Sequence, residues 1–440
     1  MRSAAKKQPA GHYVLACPVC GGQYEDSQDE FLLTCPQNHP PALLRAIYRV
    51  KQLVAHPEHG GVFRFFDWLP IRRRLRGAAG PAVFLSKGLG HRLGLDRLMV
   101  VFSGYWPERE AFMESCTFKE LEAQAVCGRA SRRRRRRLVV SSAGNTGRAF
   151  LQACERYEVP ALVVVPGASM PMLWSTRELG SSVRLAVLEG EADYSDAIEL
   201  GNGIAGTEGY YPEGGARNTA RRDGMGTALL CAVERAGAIP GHYFQAVGSG
   251  TGAIAAWEMN LRLLEDGRFG SHKMQLHLGQ NAPFTPMTDA WEVGSRLLAT
   301  PTPAESREKF RALRAPVLGN RMPPYSIAGG LFDALSDTRG QMYRVTNAEA
   351  EAAGRLFEET EGCDLDPAAE VAVASLQQAV ARGRIGRDEL VVLNITGGGR
   401  RRLEREKRLT PVRADARFHL DDLRGDGSLG LLRRLREAMG

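Results

Sequence analysis

Two three-layer α/β domains behind a small cysteine-bearing N-terminal segment are the fold class this sequence predicts. Three observations carry the prediction. Short apolar runs at 98–102, 138–140, 161–165, 183–187, 243–247 and 390–393 read as buried strands. Amphipathic stretches at 147–157 and 224–236 lie between some of them, the alternation expected of parallel strands joined by crossover helices. Glycine-bearing turns follow three of the runs, at 141–147, 247–252 and 396–399, which is where parallel sheets open their ligand crevices.

In chain order, Cys17 and Cys20 share one Cys-x2-Cys turn; Cys35 follows after fourteen intervening residues and His39 after three more. Two thiolates on one turn, met by Cys35 and His39 beyond a return strand at 31–34, would complete a tetrahedral zinc site. Residues 1–45 therefore read as a zinc-ribbon-like segment. The alternative is a knuckle that folds without metal, because Asn38 stands where a cysteine would complete a second Cys-x2-Cys. Residues 42–53 are apolar-periodic, and 56–81 form a connection rich in glycine, proline and arginine. The strands and helices that follow divide into a large domain, residues 46–125 with 225–440, and a small one, residues 126–224. The tail, with a charged run at 400–408 and a helix-like stretch at 429–439, is expected at the periphery.

A chain of 440 residues, 43% hydrophobic and 25% charged, is long enough to bury full cores. Its net charge of +8 invites a nucleic-acid partner, but the six arginines Arg132 to Arg137 account for most of it and leave +2 without them. No aromatic residue interleaves that run, so it reads as a solvated loop rather than a nucleic-acid surface. The N-terminus shows no apolar core of a secretory signal, and the apolar stretch at 159–166 is short and bounded by prolines, so no membrane span is expected. A cytoplasmic protein with reduced thiols is the expectation. Cys116, three residues before Lys119, is the thiol placed to line a site there, although a structural role is the expectation for it too.

Lys119 and the loop Ser142-Ala143-Gly144-Asn145-Thr146-Gly147 point to pyridoxal phosphate (PLP). An amine that forms a Schiff base needs a polar, glycine-relieved loop beside it, whose N–H and hydroxyl groups approach a carboxylate and an aromatic ring directly. Gly248, Ser249, Gly250, Thr251 and Gly252 lie between a strand and a helix start, a turn of the kind that binds phosphate. Thr396 leaves a buried strand into the turn Gly397-Gly398-Gly399.

The order of these four segments resembles the fold-type II PLP enzymes, the tryptophan synthase β-like fold, over most of the chain. Residues 104–109 (GYWPER), 117–123 (TFKELEA), 142–150 and 280–286 (QNAPFTP) are similar to the cysteate synthase family, a branch of the threonine synthase group. The resemblance implies β-replacement on O-phospho-L-serine with sulfite, giving L-cysteate and phosphate, and a homodimer. It implies Lys119 as the cofactor lysine and α-proton shuttle, and Asn145 at the ring hydroxyl. Ser142, Gly144 and Thr146 would hold the substrate carboxylate, Gly248 to Gly252 the cofactor phosphate, and Thr396 would face the pyridine nitrogen. Ala143 departs from related sulfhydrylases, which often carry a hydroxyl residue there.

A phosphate leaving group and a sulfite nucleophile call for cationic donors, arginine best of all. Arg148 and Arg217 are the leading candidates, with Arg221, Arg222 and Lys87 behind them. Threonine synthase, or another PLP-dependent synthase or lyase with a different nucleophile, remains the alternative activity. A non-catalytic nucleic-acid or regulatory protein on a vestigial enzyme fold is opposed by the intact Lys119, Asn145 and Thr396.

Overall fold

The computed structural model describes residues 11–26, 31–130, 136–299 and 301–421. A six-stranded sheet runs in the order Gln341–Val345, Gln275–Asn281, His242–Ala246, Val391–Ile395, Leu98–Phe102, Ala82–Leu85. All its pairings are parallel except that of the edge strand Ala82–Leu85. A five-stranded, all-parallel sheet has the order Tyr210–Pro212, Arg137–Ser141, Ala161–Pro166, Val183–Glu189, Ala416–His419.

The two-residue period of a strand explains why both sheets have covered faces. Leu98, Val100 and Phe102 pack in one core with Val371 and Ala372 of the helix Pro367–Ala381, whereas Met99 and Val101 pack in another with Leu229 and Ile254. In the smaller sheet Val163 and Leu185 meet Phe150 on one face, and Leu162 and Ala186 meet Leu200 on the other. Each sheet is thus the middle layer of three.

The helix Lys119–Arg129 runs against the helices Asn145–Arg156 and Thr219–Ala236. Its approach to the latter needs Gly224, where a Cβ would stand 2.5 Å from the Leu121 carbonyl oxygen. Among the described residues no helix is long and apolar enough to cross a membrane.

Several elements differ from the sequence expectation. Residues 31–34 form no strand; Phe31 instead lies under the Arg129 guanidinium at 4.4 Å and edge-on to Tyr211 at 5.6 Å. Residues 45–48 form the strand Arg45–Tyr48, which pairs with Tyr13–Ala16, so the N-terminal sheet extends past residue 45. The tail is not wholly peripheral, because Ala416–His419 returns to pair with Val183–Glu189 of the smaller sheet. Arg132 to Arg135 and the stretch 429–439 lie outside the described residues; the last two arginines of the run donate to backbone carbonyls, Arg136 to Tyr210 and Arg137 to Ser182.

Asp26 ties the N-terminal sheet to this framework. It accepts from Arg129 Nε at 2.8 Å and Nη2 at 2.7 Å, and from the Tyr13 hydroxyl at 2.6 Å. Burial pushes the Asp26 carboxyl up, but the Arg129 guanidinium and these hydrogen bonds outweigh it and hold the group below its ordinary range. A depressed carboxyl contributes stability above its unfolded pKa and loses it as pH falls through the folded value. Asp26→Asn should therefore cost about 3 kcal/mol in denaturant unfolding at neutral pH, because Arg129 stays buried with its charge unanswered. The difference from the unaltered chain should shrink on acidification, and a pH-independent difference would refute the ion-pair account.

Candidate active site

The carboxyl ends of three parallel strands converge on one pocket: Ser142 follows Arg137–Ser141, Gly248 lies just beyond His242–Ala246, and Thr396 follows Val391–Ile395. That placement is the crevice expected of an open α/β sheet. The first residue of the helix Lys119–Arg129 enters the same pocket, fixed by the Phe118 N–H donating to the Thr396 carbonyl at 2.9 Å. All the expected cofactor residues, Lys119, Asn145, Gly248, Ser249, Gly250, Thr251, Gly252 and Thr396, line it.

Lys119 Nζ lies 3.6 Å from Glu122 Oε2, 3.9 Å from Met225 Sδ and 4.6 Å above the Phe118 ring. Burial lowers the Lys119 pKa and Arg221 adds to the lowering, while Glu122 opposes both. A lysine desolvated in this way holds its amine closer to the neutral, nucleophilic form.

Across the pocket, Ser142 Oγ accepts from the N–H groups of Gly144 at 3.0 Å and Gly147 at 2.6 Å, bracing the turn into the helix Asn145–Arg156. Thr146 Oγ1 donates to Glu122 Oε1 at 3.0 Å. Asn145 Oδ1 is buried and has no hydrogen-bond partner among the described residues. At the glycine loop, Gly250 takes φ +75°, a left-handed conformation that favours glycine, and opens the 16-residue helix Thr251–Asp266. Ser249 Oγ bridges to Thr251 Oγ1 at 2.8 Å and accepts from the Thr251 N–H at 3.3 Å, holding the turn closed. The result is a row of backbone donors at a helix N-terminus, a ready anion site.

A family profile described as pyridoxal-phosphate dependent enzyme matches residues 88–397. The chain is 48% identical over 401 residues to a cysteate synthase of Methanoculleus marisnigri, covering 91% of each protein. It is 45% identical over 397 residues to a cysteate synthase of Methanosarcina acetivorans, covering 90% of this chain and 94% of the relative. The chain belongs to the cysteate synthase family. Its fold is similar to a pyridoxal 5'-phosphate-dependent aspartate racemase, with TM-score 0.55 and 16% identity over 72% of this chain and 90% of that one. Threonine deaminase isoform 2 from Solanum lycopersicum gives TM-score 0.53 and 16% identity over 83% and 95%. The pocket of this cysteate synthase family member fits PLP: a desolvated lysine, a buried amide oxygen with no partner among the described residues and a glycine turn at a helix N-terminus face one space.

The arginines are arranged differently from the sequence expectation. Arg148 is buried outside the pocket, donating to the Ser115 carbonyl at 2.8 Å and the Met172 carbonyl at 2.8 Å and stacking 4.6 Å from Trp174. Arg217 is exposed on the turn Gly215–Arg217 and is not a pocket residue, and Lys87 is also exposed. Arg222 is committed to Glu258 at 2.9 Å and to the Ala216 and Leu44 carbonyls. Arg221 alone of these lines the pocket; its Nε and Nη2 reach both Glu213 oxygens at 2.9 and 2.5 Å. Cys116 lies outside the lining, and burial pushes its thiol up to about 12, so it is structural. Tyr194, Gln245 and Asn320 also line the pocket and were not singled out by sequence. Gln245 had one available signal, an amide inside an apolar strand; its Oε1 accepts from the Tyr243 hydroxyl at 2.9 Å and from Asn394 Nδ2 at 3.0 Å.

In the N-terminal segment, the donor atoms of Cys17, Cys20, Cys35 and His39 all lie within 4.8 Å of one another. Cys20 and Cys35 sulfurs are 3.7 Å apart, and Cys17 Sγ is 3.4 Å from His39 Nε2. A tetrahedral zinc with ordinary bond lengths sets these separations at roughly 3.8 and 3.5 Å. His39 Nδ1 donates to the Pro40 carbonyl at 2.7 Å, which leaves Nε2 as the metal-facing nitrogen. Protein purified without chelator should hold about one zinc per chain by elemental analysis, and Cys35→Ser should release most of it. Metal-free protein with intact thiols would assign the knuckle that folds without metal.

Proposed function

We infer that this chain catalyses β-replacement on O-phospho-L-serine, with sulfite as nucleophile and L-cysteate and phosphate as products. The observation that carries this reading is the 48% identity to a cysteate synthase over nine tenths of the chain, on a structure whose pocket gathers Lys119, Asn145, the Gly248 to Gly252 turn and Thr396. In the overall change the Cβ–O bond breaks with its electron pair leaving on phosphate, and a sulfite lone pair forms the Cβ–S bond.

PLP, when bound, supplies the electron sink that makes the substrate α-proton acidic. Lys119 Nζ is the base that takes that proton and later returns it, and its lowered pKa suits the role. Asn145 would hold the ring hydroxyl, and the Gly248 to Gly252 turn the cofactor phosphate. Thr396 would meet the ring nitrogen with a neutral hydroxyl, which cannot compensate a positive charge there and so favours elimination and replacement over transamination. The Ser142 hydroxyl and the backbone donors of the turn from Gly144 to Thr146 would hold the substrate carboxylate, since the Thr146 hydroxyl donates to Glu122 Oε1. Ser142 also braces that turn, its Oγ accepting from two N–H groups while its own O–H remains to donate. The reading extends to a homodimer, supported by the family resemblance, in a reducing cytoplasmic compartment, supported by eight free cysteines.

Incubating the PLP-loaded chain with O-phosphoserine and sulfite should release phosphate and cysteate one for one. Borohydride reduction of the resting enzyme should leave the cofactor on the peptide containing Lys119, and Lys119→Ala should lose both the label and turnover. Efficient turnover of phosphohomoserine, with O-phosphoserine inert, would assign a threonine synthase instead.

Arg221 is the pocket cation through which the phosphate would be read. Arg221→Lys keeps the charge but removes the planar fork, so KM for O-phosphoserine should rise about tenfold, the worth of one charge-assisted hydrogen bond. An unchanged KM would move phosphate recognition wholly onto backbone donors.

A further inference from the structure

Glu122 is fully buried, and nothing in the reaction described above uses it. Three functional groups nevertheless meet on its carboxylate. Oε1 accepts from Thr146 Oγ1 at 3.0 Å and lies 3.3 Å from Arg221 Nη1; Oε2 has no hydrogen-bond partner among the described residues and lies 3.6 Å from Lys119 Nζ. Lys119 and Glu122 are three residues apart on one helix, so the backbone sets their spacing. Thr146 and Arg221 come from two other helices, Asn145–Arg156 and Thr219–Ala236.

We propose that Glu122 is a positioning residue that holds the Lys119 amine beside the carboxylate-binding turn and stabilises the proton Lys119 removes from the substrate until it is returned. This rests on the β-replacement reading for its catalytic consequence only. In the step concerned, the substrate Cα–H bond breaks, its electron pair stays on carbon and the proton forms an N–H bond at Lys119 Nζ. The resulting ammonium then faces Glu122 Oε2, which balances it. Without that carboxylate it would face the Arg221 guanidinium as a like charge.

The surroundings support the pairing. The groups that face Lys119 and Glu122 are Arg221, the Glu213 carboxylate that holds Arg221, and the phenol of Tyr194 on the helix Tyr194–Ala205. Two carboxylates balance two cations, and burial raises the Tyr194 phenol, which stays neutral. Burial and Arg221 depress Lys119, and Glu122 is the nearest group that raises it. Thr146 shares Glu122 with Lys119, so the amine and the carboxylate-binding turn have a common support.

The test reads Lys119 directly. In the full-length chain freed of cofactor, pH-dependent acetylation of Lys119 followed by peptide mass spectrometry reports the midpoint of its amine. Glu122→Gln, which keeps the shape and removes the charge, should lower that midpoint by about one pH unit. Glu122→Asp, which keeps the charge but draws it back by a methylene, should lower it by less. In the PLP-loaded enzyme with O-phosphoserine and sulfite, Glu122→Gln should reduce kcat with an altered pH profile, and Glu122→Asp should restore part of both. A Lys119 midpoint that is the same in the unaltered chain and in every folded variant would overturn the proposal, and Glu122→Asp carries the test alone should Glu122→Gln not fold. Labelling needs no substrate, so its failure leaves the β-replacement reading standing, and a different substrate would leave the labelling result standing.

Discussion

Burying a charged helix is the constraint on which this structure turns. Residues 120 to 129 are buried throughout, yet the helix Lys119–Arg129 carries Lys119, Glu120, Glu122 and Arg129. A buried charge left unpaired costs several kcal/mol, so each must be answered from another element or neutralised. Arg129 is answered by Asp26 of the N-terminal segment and by Asn218 Oδ1 at 2.6 Å. Glu122 is answered by Arg221 and Thr146. Glu120 accepts from the Ser115 hydroxyl at 2.7 Å and N–H at 3.1 Å, and its burial pushes the carboxyl up. Satisfying one helix therefore brings together the N-terminal sheet, the Asn145 turn and the helix Thr219–Ala236, and Lys119 takes its position from the same contacts.

This constraint also decides what was legible in the sequence. Strands buried on both faces are continuous apolar runs, and 98–102 and 161–165 fall on Leu98–Phe102 and Ala161–Pro166. Gln275–Asn281 and Gln341–Val345 escaped because polar residues interrupt them. His277 is buried there between ring partners, stacked 4.3 Å from Phe244 and hydrogen-bonded to the Tyr343 hydroxyl at 2.7 Å, and burial pushes its pKa down to about 3. Such a histidine is an apolar-like ring that a polarity pattern counts as polar. Ala416–His419 escaped for another reason: a short strand that pairs with an element more than two hundred residues earlier leaves no local signal.

The site follows the same division. Backbone-dictated parts, the glycine turn and the Ser142 to Gly147 loop, were legible because glycine and small hydroxyl residues mark them regardless of what packs around them. The arginines were not, since adjacency to a loop does not say where a long side chain ends: Arg148 follows the loop and points its donors at the Ser115 and Met172 carbonyls. Glu122 carried a readable signal, its three-residue helical spacing from Lys119, but its meaning depends on Arg221 and Thr146 arriving from elsewhere.

The same economy of charge bears on how the pocket handles anions. Arg221 is the pocket's arginine, and most of its fork is already committed to Glu213 and Glu122. With Lys119 and Arg221 balanced by those carboxylates, an entering phosphate or sulfite group meets an interior of nearly zero net charge. The N-termini of the helices Asn145–Arg156 and Thr251–Asp266 are taken by the substrate carboxylate and the cofactor phosphate in this reading, so what remains to hold it is the share of the Arg221 guanidinium that Glu213 and Glu122 leave. A full, uncommitted ion pair in so dry a site would bind the first anion strongly and oppose its departure. An arginine already shared with two carboxylates binds an anion more weakly and with set geometry. A reaction in which one anion must leave before another enters is served better by the second arrangement.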